Sequence, residues 1–285
     1  MPSATPGHPR SITVTSADSS TGRRLLTRLA DTPAHVTALV RQRVELPAAR
    51  MVDDWTRTSE AADAISAADV VIHLSGAFSG PDWQTHHDAT VATTEHVARA
   101  LMPGQRLLYL SYLDADPQAS NWYHRAKGLA EQALADAPAD CVILRIPPLI
   151  YGSSTPGAFE RRMLPTTPGG PVTVIGDGTR RFQPLYSTDL INALINACTH
   201  ATPGTHDLTG PDTLSVEQIV RSLNGPDVAI DYLPAAAART ISALPASVID
   251  LFTTPGREPD PTPTWRMLDL TPTPLTEIWP PHTSS

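Results

Sequence analysis

Tyr123-His124-Arg125-Ala126-Lys127 sets a phenol and an ammonium four residues apart, on one face of any helix that contains them. That spacing has a chemical use. A tyrosine titrating near its usual value of about 10 is a poor acid–base catalyst at neutral pH, and a cation within about 4–6 Å stabilises its phenolate. Lysine supplies that cation as a compact charge able to bond hydroxyl groups as well. The Y-x-x-x-K pattern alone is weak. Here, though, Lys127 is the single lysine of a chain with 20 arginines and six tyrosines. Chance would place a tyrosine four residues ahead of it in about one such sequence in fifty. Arginine serves everywhere else, so the position is read as one that needs lysine. The competing reading is an ordinary amphipathic-helix pair.

The run Thr15-Ser16-Ala17-Asp18-Ser19-Ser20-Thr21-Gly22 is the second candidate. A nucleotide-binding turn uses glycines so that the backbone bends tightly and a pyrophosphate approaches a helix N-terminus. Against the template T-G-x-x-G-x-x-G, Ser16 and Ser19 occupy the first two glycine slots and only Gly22 remains. The Ser19 Cβ is expected to intrude where phosphate oxygens meet the main chain. Hydroxyls of Ser16, Ser19, Ser20 and Thr21 still offer donors to phosphate. Further on, Arg41 and Arg43 precede any carboxylate, the first being Glu45. Arginine at that place accommodates a 2′-phosphate, so NADPH is expected, with NADH possible. Two solvated surface arginines are the alternative.

These residues need elements to hold them. Ser11–Thr15, His35–Val40, Ala68–Leu74, Arg106–Leu110 and Asp140–Ile146 read as short, nearly continuous apolar strands, as in a parallel sheet covered on both faces. Thr21–Ala30, Thr85–Leu101 and Tyr123–Ala135 carry helical periodicity between them. The alternation predicts an α/β fold with a Rossmann-like, doubly wound parallel sheet and a small C-terminal substrate-binding portion. Residues 1–10 read as a disordered tail, 11–151 as the nucleotide-binding core and 152–285 as the substrate portion, with 181–210 returning to the core. Gly152–Pro171 is a Gly/Pro/Ser/Thr-rich loop of the length that is usually functional. Phe182–Cys198 reads as strand then helix, His206–Thr209 as extended, and Val216–Leu223 as a helix capped by Ser215. Thr253–Thr264, with four prolines, is either a lid edge or a surface connection.

Composition narrows the class. Apolar residues make up 41% and charged ones 18% of 285, enough for one substantial core. No run reaches the roughly 18–20 apolar residues of a membrane span, and the N-terminus lacks a signal-peptide core, so a cytoplasmic protein is expected. A net charge of −8 without a basic patch argues against a nucleic-acid partner and for a small-molecule substrate. Cys141 and Cys198, in apolar surroundings, read as reduced core residues, and no metal site is visible. A monomer or a homodimer is expected.

At this point the chain resembles an atypical or extended member of the short-chain dehydrogenase/reductase superfamily, near the NmrA-like, complex-I-subunit-like and epimerase-like proteins. SITVTSADSSTG, HVTALVR, ADVVIHLSGA, LLYLSYLDADPQASNWYHRAKGLAEQAL, CVILRIPPLIYG and FQPLYSTDLINAL carry the likeness, from Ser11 to about Gly210. The resemblance implies that Tyr123 donates or accepts the proton and Lys127 assists it. Ser75, Gly76 and Ala77 would flank the cofactor ribose, and Pro147 and Pro148 would lie near the nicotinamide. Either Ser111 or Tyr112 would orient a substrate carbonyl. His86 and His87, after Trp83, could line the pocket, and Phe159, Arg161, Arg162 and Met163 belong to the segment the family lays over its substrate. An NADPH-dependent ketoreductase is the implied activity. Arg-for-Lys bias and Ala, Pro and Thr richness are similar to proteins of GC-rich actinobacterial genomes, making an aromatic polyketide ketone of antibiotic biosynthesis the first substrate to consider. Alternatives are a non-redox cyclase, dehydratase or isomerase, an NmrA-like dinucleotide sensor, and a nucleotide-sugar epimerase.

Overall fold

The apolar runs assemble into one parallel sheet. A computed structural model describes residues 9–152, 161–241 and 244–279. In chain order the first half is β1 (Ser11–Thr15), α1 (Ser20–Leu29), β2 (His35–Leu39), β3 (Arg50–Val52), α2 (Ser59–Ser66), β4 (Val70–His73), α3 (Trp83–His86), a π-helical turn (His87–Ala92), α4 (Thr93–Ala100), β5 (Arg106–Tyr112), α5 (Trp122–Ala133) and β6 (Asp140–Ile146). The second half holds β7 (Ile150–Tyr151), β8 (Val172–Ile175), β9 (Arg181–Phe182), β10 (Leu185–Tyr186), α6 (Ser187–His200), β11 (Gly204–Asp207), β12 (Leu214–Ser215), α7 (Val216–Asn224) and β13 (Ile230–Leu233). It closes with α8 (Ala235–Ile241), α9 (Ala246–Thr253), α10 (Thr262–Met267) and α11 (Leu275–Ile278).

Among the described residues the central sheet runs β11-β6-β5-β4-β1-β2-β3, and its pairs are parallel, with Ser11 facing His35 and Ile12 facing Val70. This is the predicted Rossmann-like architecture. The order of the strands reverses at β1, which lies between β2 and β4. In such sheets ligands bind in the crevice beyond the carboxyl ends of the strands at that switch point. Thr15 and His73 end the two strands that border it.

Both faces of the sheet are covered, which is why its strands are apolar along their whole length. Leu25, Leu26 and Leu29 of α1 and Leu190, Leu194 and Ala197 of α6 bury one face. Full burial of each leucine contributes about 1.5–3 kcal/mol. Trp55, Ile65 of α2, Val97 of α4 and Ala130 of α5 bury the other, against Tyr109 and Leu107. After β10, α6 packs on the core and β11 joins the sheet beside β6. A separate cluster gathers the C-terminal portion: Val172, Val174, Ile219, Ile249 and Phe252 pack with Tyr112 and Tyr123 of the core. The site tyrosines therefore sit at the seam between the two portions.

The proline-rich segment is tied down along its length. Arg257 forks onto Asp207 at 3.0 and 2.6 Å, its amide donates to Asp114 Oδ1 at 2.9 Å, and Gln183 Nε2 donates to the Pro259 carbonyl at 2.9 Å. It is a connection strapped to the core.

Candidate functional site

The turn after β1 replaces its missing glycines by local means. Ser16 adopts φ +47°, the left-handed region a glycine would normally fill. Its hydroxyl is turned onto Ser75 Oγ at 2.8 Å. Ser19 is the N-cap of α1, with φ −64° and ψ 162°, and its hydroxyl accepts the Gly22 N–H at 3.0 Å. The serine side chain thus folds back onto its own helix, and the expected intrusion into the phosphate path takes the form of competition for one amide. The first intrahelical bond runs from Arg23 N–H to the Ser19 carbonyl at 2.8 Å. The amides of Ser20 and Thr21 precede that ladder and, as at any helix N-terminus, have no intrahelical acceptor. Gly22 has no substitute, since a Cβ there would lie 2.6 Å from the Ala17 carbonyl oxygen. We expect Ser19→Gly to free the Gly22 amide and tighten dinucleotide binding about three- to ten-fold, while the lost cap costs only a few tenths of a kcal/mol. A fluorescence titration beside a melting curve checks both; weaker binding would show that the hydroxyl itself is a phosphate ligand.

On the other side of the crevice, Ser75 is buried at the end of β4 and Gly76 has φ +153°. Lys127 reaches them from α5. Its ammonium donates to the Leu110 carbonyl at 2.7 Å and the Ser75 carbonyl at 3.3 Å, and it lies 4.7 Å from the Tyr109 ring centroid. A Cβ at Gly76 would come within 3.0 Å of the lysine nitrogen. Only 4% of Lys127 is exposed. Burial lowers its pKa to about 7, with the Glu131 carboxylate pulling the other way. Beneath it, Thr15 Oγ1, His73 Nδ1, His73 Nε2 and Thr94 Oγ1 form a buried chain with links of 2.8 and 3.0 Å. Thr94 donates onward to the Thr90 carbonyl at 2.7 Å, which leaves its oxygen to accept from His73 Nε2. His73 is held neutral, with burial bringing its pKa to about 3. The Ala77 amide donates to Thr90 Oγ1 at 3.4 Å.

Asn121 caps α5, accepting from the amides of Tyr123 (3.0 Å) and His124 (3.3 Å), and so fixes where the helix begins. Tyr123 is 8% exposed, its ring 5.2 Å from Phe78 and 4.9 Å from Tyr112. Burial pushes its phenol well above the ordinary tyrosine range. This corrects the expectation that the lysine charge lowers it, because the Lys127 ammonium is aimed at two carbonyl oxygens and desolvation dominates the phenol.

Neighbouring residues of a strand point to opposite faces, and Ser111 and Tyr112 divide accordingly. The Ser111 hydroxyl donates to Glu131 Oε1 at 2.5 Å, and Arg145 forks onto the same carboxylate at 2.9 and 2.5 Å. Tyr112 instead faces Tyr123 and stacks on His124 at 4.9 Å, its hydroxyl buried without a partner among the described residues. The two positions predict different variants. Ser111→Ala should keep turnover within about two-fold and lose about 1 kcal/mol of stability, whereas Tyr112→Phe should lower kcat by about 10- to 100-fold with little change in melting. Steady-state kinetics of the pair decide between the hydroxyls, and the reverse ranking would overturn the assignment.

The other sequence candidates scatter. Arg41 and Arg43 are exposed in the segment after β2, and Arg23 of α1 ties that segment to the turn after β1, its guanidinium holding the Asp18 carbonyl at 3.0 Å and the Glu45 carbonyl at 3.5 Å. Pro147 is buried and Pro148 half-buried after β6. His86 is fully buried, while His87 is half-buried against Asp88 at 3.2 Å. Met163 is core, Arg161 and Arg162 are exposed, and Phe159 lies outside the described residues. Phe78, His124 and Arg180 were not picked out from the sequence, because only tertiary packing brings them to Tyr112 and Tyr123. Among the described residues no His/Cys/Asp/Glu group could hold a metal, and no helix is long and apolar enough to cross a membrane.

A parallel sheet with its crevice at β1/β4, the N-terminus of α1 beside it and a Tyr-Lys pair on α5 make up a Rossmann-like fold with the layout of a dinucleotide-binding protein. Residues 17–172, more than half of the chain, match the family model described as NAD(P)H-binding, and the chain belongs to that family. It is similar to the mitochondrial NADH dehydrogenase (ubiquinone) 1 alpha subcomplex subunit 9 of Arabidopsis thaliana, 27% identical over an alignment of 169 positions that covers 54% of this chain and 40% of that protein. The chain thus spans less than half the length of this curated relative. Its fold is shared with a Bacillus cereus UDP-glucuronic acid 4-epimerase solved with NAD (TM-score 0.73, 18% identity, 94% of this chain and 96% of that one). It is shared also with TunA, an NAD-dependent NDP-hexosamine 5,6-dehydratase involved in tunicamycin biosynthesis (0.73, 18%, 94% and 94%). Human epimerase family protein SDR39U1 (isoform 2), solved with NADPH, is a third (0.72, 16%, 90% and 93%).

Proposed function

We propose that this protein is an NADPH-dependent reductase of a carbonyl on a small molecule. The observation that carries the reading is Tyr123, a buried phenol that stays protonated at neutral pH, placed beside the unpartnered Tyr112 hydroxyl and one helical turn before the buried Lys127. A protonated phenol is a proton donor, and reduction of a ketone needs one where negative charge develops on oxygen. The residues present fit a dinucleotide. Ser20 and Thr21 amides would take the pyrophosphate, Gly76 leaves the approach to Lys127 without a Cβ, and the third N–H of Lys127 is available for a ribose hydroxyl. When bound, the nicotinamide supplies the hydride. Tyr112 donates a hydrogen bond to the carbonyl oxygen, Tyr123 delivers its O–H proton to the alkoxide, and the Lys127 ammonium stabilises the phenolate left behind. Arg41 and Arg43, exposed where a 2′-phosphate would lie, favour NADPH over NADH. An aromatic polyketide ketone of antibiotic biosynthesis remains the first candidate substrate on composition.

The test is a fluorescence titration with NADPH and NADH, followed by nucleotide oxidation against a panel of ketones and by NMR of UDP-glucuronic acid incubated with the protein and NAD. Micromolar NADPH binding, at least ten-fold tighter than NADH, with ketone-dependent oxidation is expected. Binding of neither nucleotide would sink the redox reading; epimerised UDP-glucuronic acid without ketone turnover would replace it by the sugar-nucleotide one.

A further inference from the structure

Tyr112 also lines a cavity of about 200 Å³ at the seam between the core and the C-terminal portion, together with Asp114, His124, Arg180, Asp250 and Arg257. Three polar atoms buried in these side chains have no hydrogen-bond partner among the described residues: the Tyr112 hydroxyl, His124 Nε2 and Arg180 Nε. An unmet buried donor costs about 1–3 kcal/mol, so three around one cavity are the mark of a place that a ligand completes.

The charges there are otherwise paired. Asp114 Oδ1 accepts from the Arg257 amide at 2.9 Å, Arg257 forks onto Asp207, and Asp250 Oδ1 accepts from Arg239 at 2.6 Å. Arg180 differs. Its side chain is only 10% exposed, its guanidinium lies 4.6 Å from the Phe182 ring centroid, and Nη1 donates to the Arg181 carbonyl. Nη2 forms an ion pair with Asp114 Oδ2 at 3.8 Å, too long for a hydrogen bond. The Nε–H is therefore without an acceptor and Nη2 is held only by that long ion pair, which leaves a two-donor edge that matches the two oxygens of a carboxylate. The neutral imidazole of His124, in the tautomer with its proton on Nε2, adds a third donor.

Resting on the reductase reading, we propose that this cavity holds a carboxylate of the substrate, so that the carbonyl compound reduced at Tyr123 is an oxo acid. The Arg180 fork and His124 Nε2 take the carboxylate oxygens. Tyr112, lining the cavity and in ring contact with Tyr123, takes the neighbouring carbonyl oxygen. A cavity of this size has room for several groups of water volume, about 30 Å³ each, enough for a carboxylate and the carbons that join it to the carbonyl.

The probes are benzoylformate, its methyl ester and benzoate, used on the full chain. Wild type should prefer the acid to the ester by about 30-fold or more in kcat/KM and should bind benzoate in a saturation-transfer NMR experiment. Arg180→Gln should collapse the preference to near unity and abolish benzoate binding, and Arg180→Lys, which keeps the charge without the fork, should fall between. Equal use of acid and ester by the wild type, or a preference that survives Arg180→Gln, overturns the subsite while leaving the reductase standing. Turnover of neither probe, with benzoate binding that depends on Arg180, upholds the subsite and removes the reductase. Absence of both turnover and benzoate binding overturns the proposal.

Discussion

Replacing Lys127 by Met is expected to lower kcat/KM for carbonyl reduction by about 10²- to 10³-fold and to weaken NADPH binding at least ten-fold. Among the described residues the ammonium is the buried cation at the crevice with a proton to spare for a ribose hydroxyl, and the proposed mechanism makes it the counter-charge for a Tyr123 phenolate. Its lowered pKa adds a pH signature. kcat/KM reports the free enzyme, so the rate should fall as pH rises through about 7, where Lys127 loses its charge. Stability moves the other way. Below about pH 7 the lysine is protonated both folded and unfolded, and the full cost of burying its charge is present. Between about 7 and the ordinary lysine value of 10.5 the unfolded chain binds the extra proton, so folding stability rises with pH over that window. Lys127→Met removes the titration. Its gain over wild type in urea denaturation should be largest near pH 6, on the order of a few kcal/mol, and shrink toward pH 10. A kcat/KM that stays flat from pH 6 to about 9 would show that Lys127 is not the group in control.

The same lysine shows what a sequence makes visible. Its uniqueness against the arginine background and its spacing from Tyr123 are one-dimensional facts, and they picked out a pair that α5 carries buried one turn apart. The strands β1, β2, β4, β5 and β6 were equally legible, since a strand buried on both faces is apolar throughout. Arg50–Val52 was not, because a three-residue edge strand carries no periodicity. Alternation along β5 dictates that Ser111 and Tyr112 face opposite ways, yet only the packing of α5 decides which one meets Glu131 and which meets Tyr123. Ser19 read as a lost glycine because a template was laid over it; taken locally, a serine three residues before an amide it can accept is a helix cap. The cavity at Arg180 joins β5, α5 and the turn before β9, and its open fork follows from which acceptors happen to lie beyond reach. That is a tertiary fact with no counterpart in the order of residues.

Tyr123→Phe should cost about 10²- to 10³-fold in kcat for reduction while NADPH affinity stays within about three-fold, because the phenol serves the proton and Lys127 and the α1 amides serve the nucleotide. The argument has a directional consequence. Burial holds the Tyr123 phenol protonated through neutral pH, so reduction finds its proton donor in place at pH 7. Oxidation of the product alcohol needs the phenolate, which is scarce there, together with the charged Lys127, so its rate should climb about ten-fold per pH unit up to about 7 and level off above it, where the two titrations offset. Reduction is thus expected to hold below about pH 7 and fall above it, and oxidation to rise below about pH 7 and level off above it, their ratio shifting about ten-fold per pH unit as the one proton consumed in reduction requires. Progress curves in both directions from pH 6 to about 10, on wild type and Tyr123→Phe, measure this directly. A variant that keeps more than a third of wild-type kcat would take the proton transfer away from Tyr123 and leave the buried Tyr112 hydroxyl as the group that must carry it.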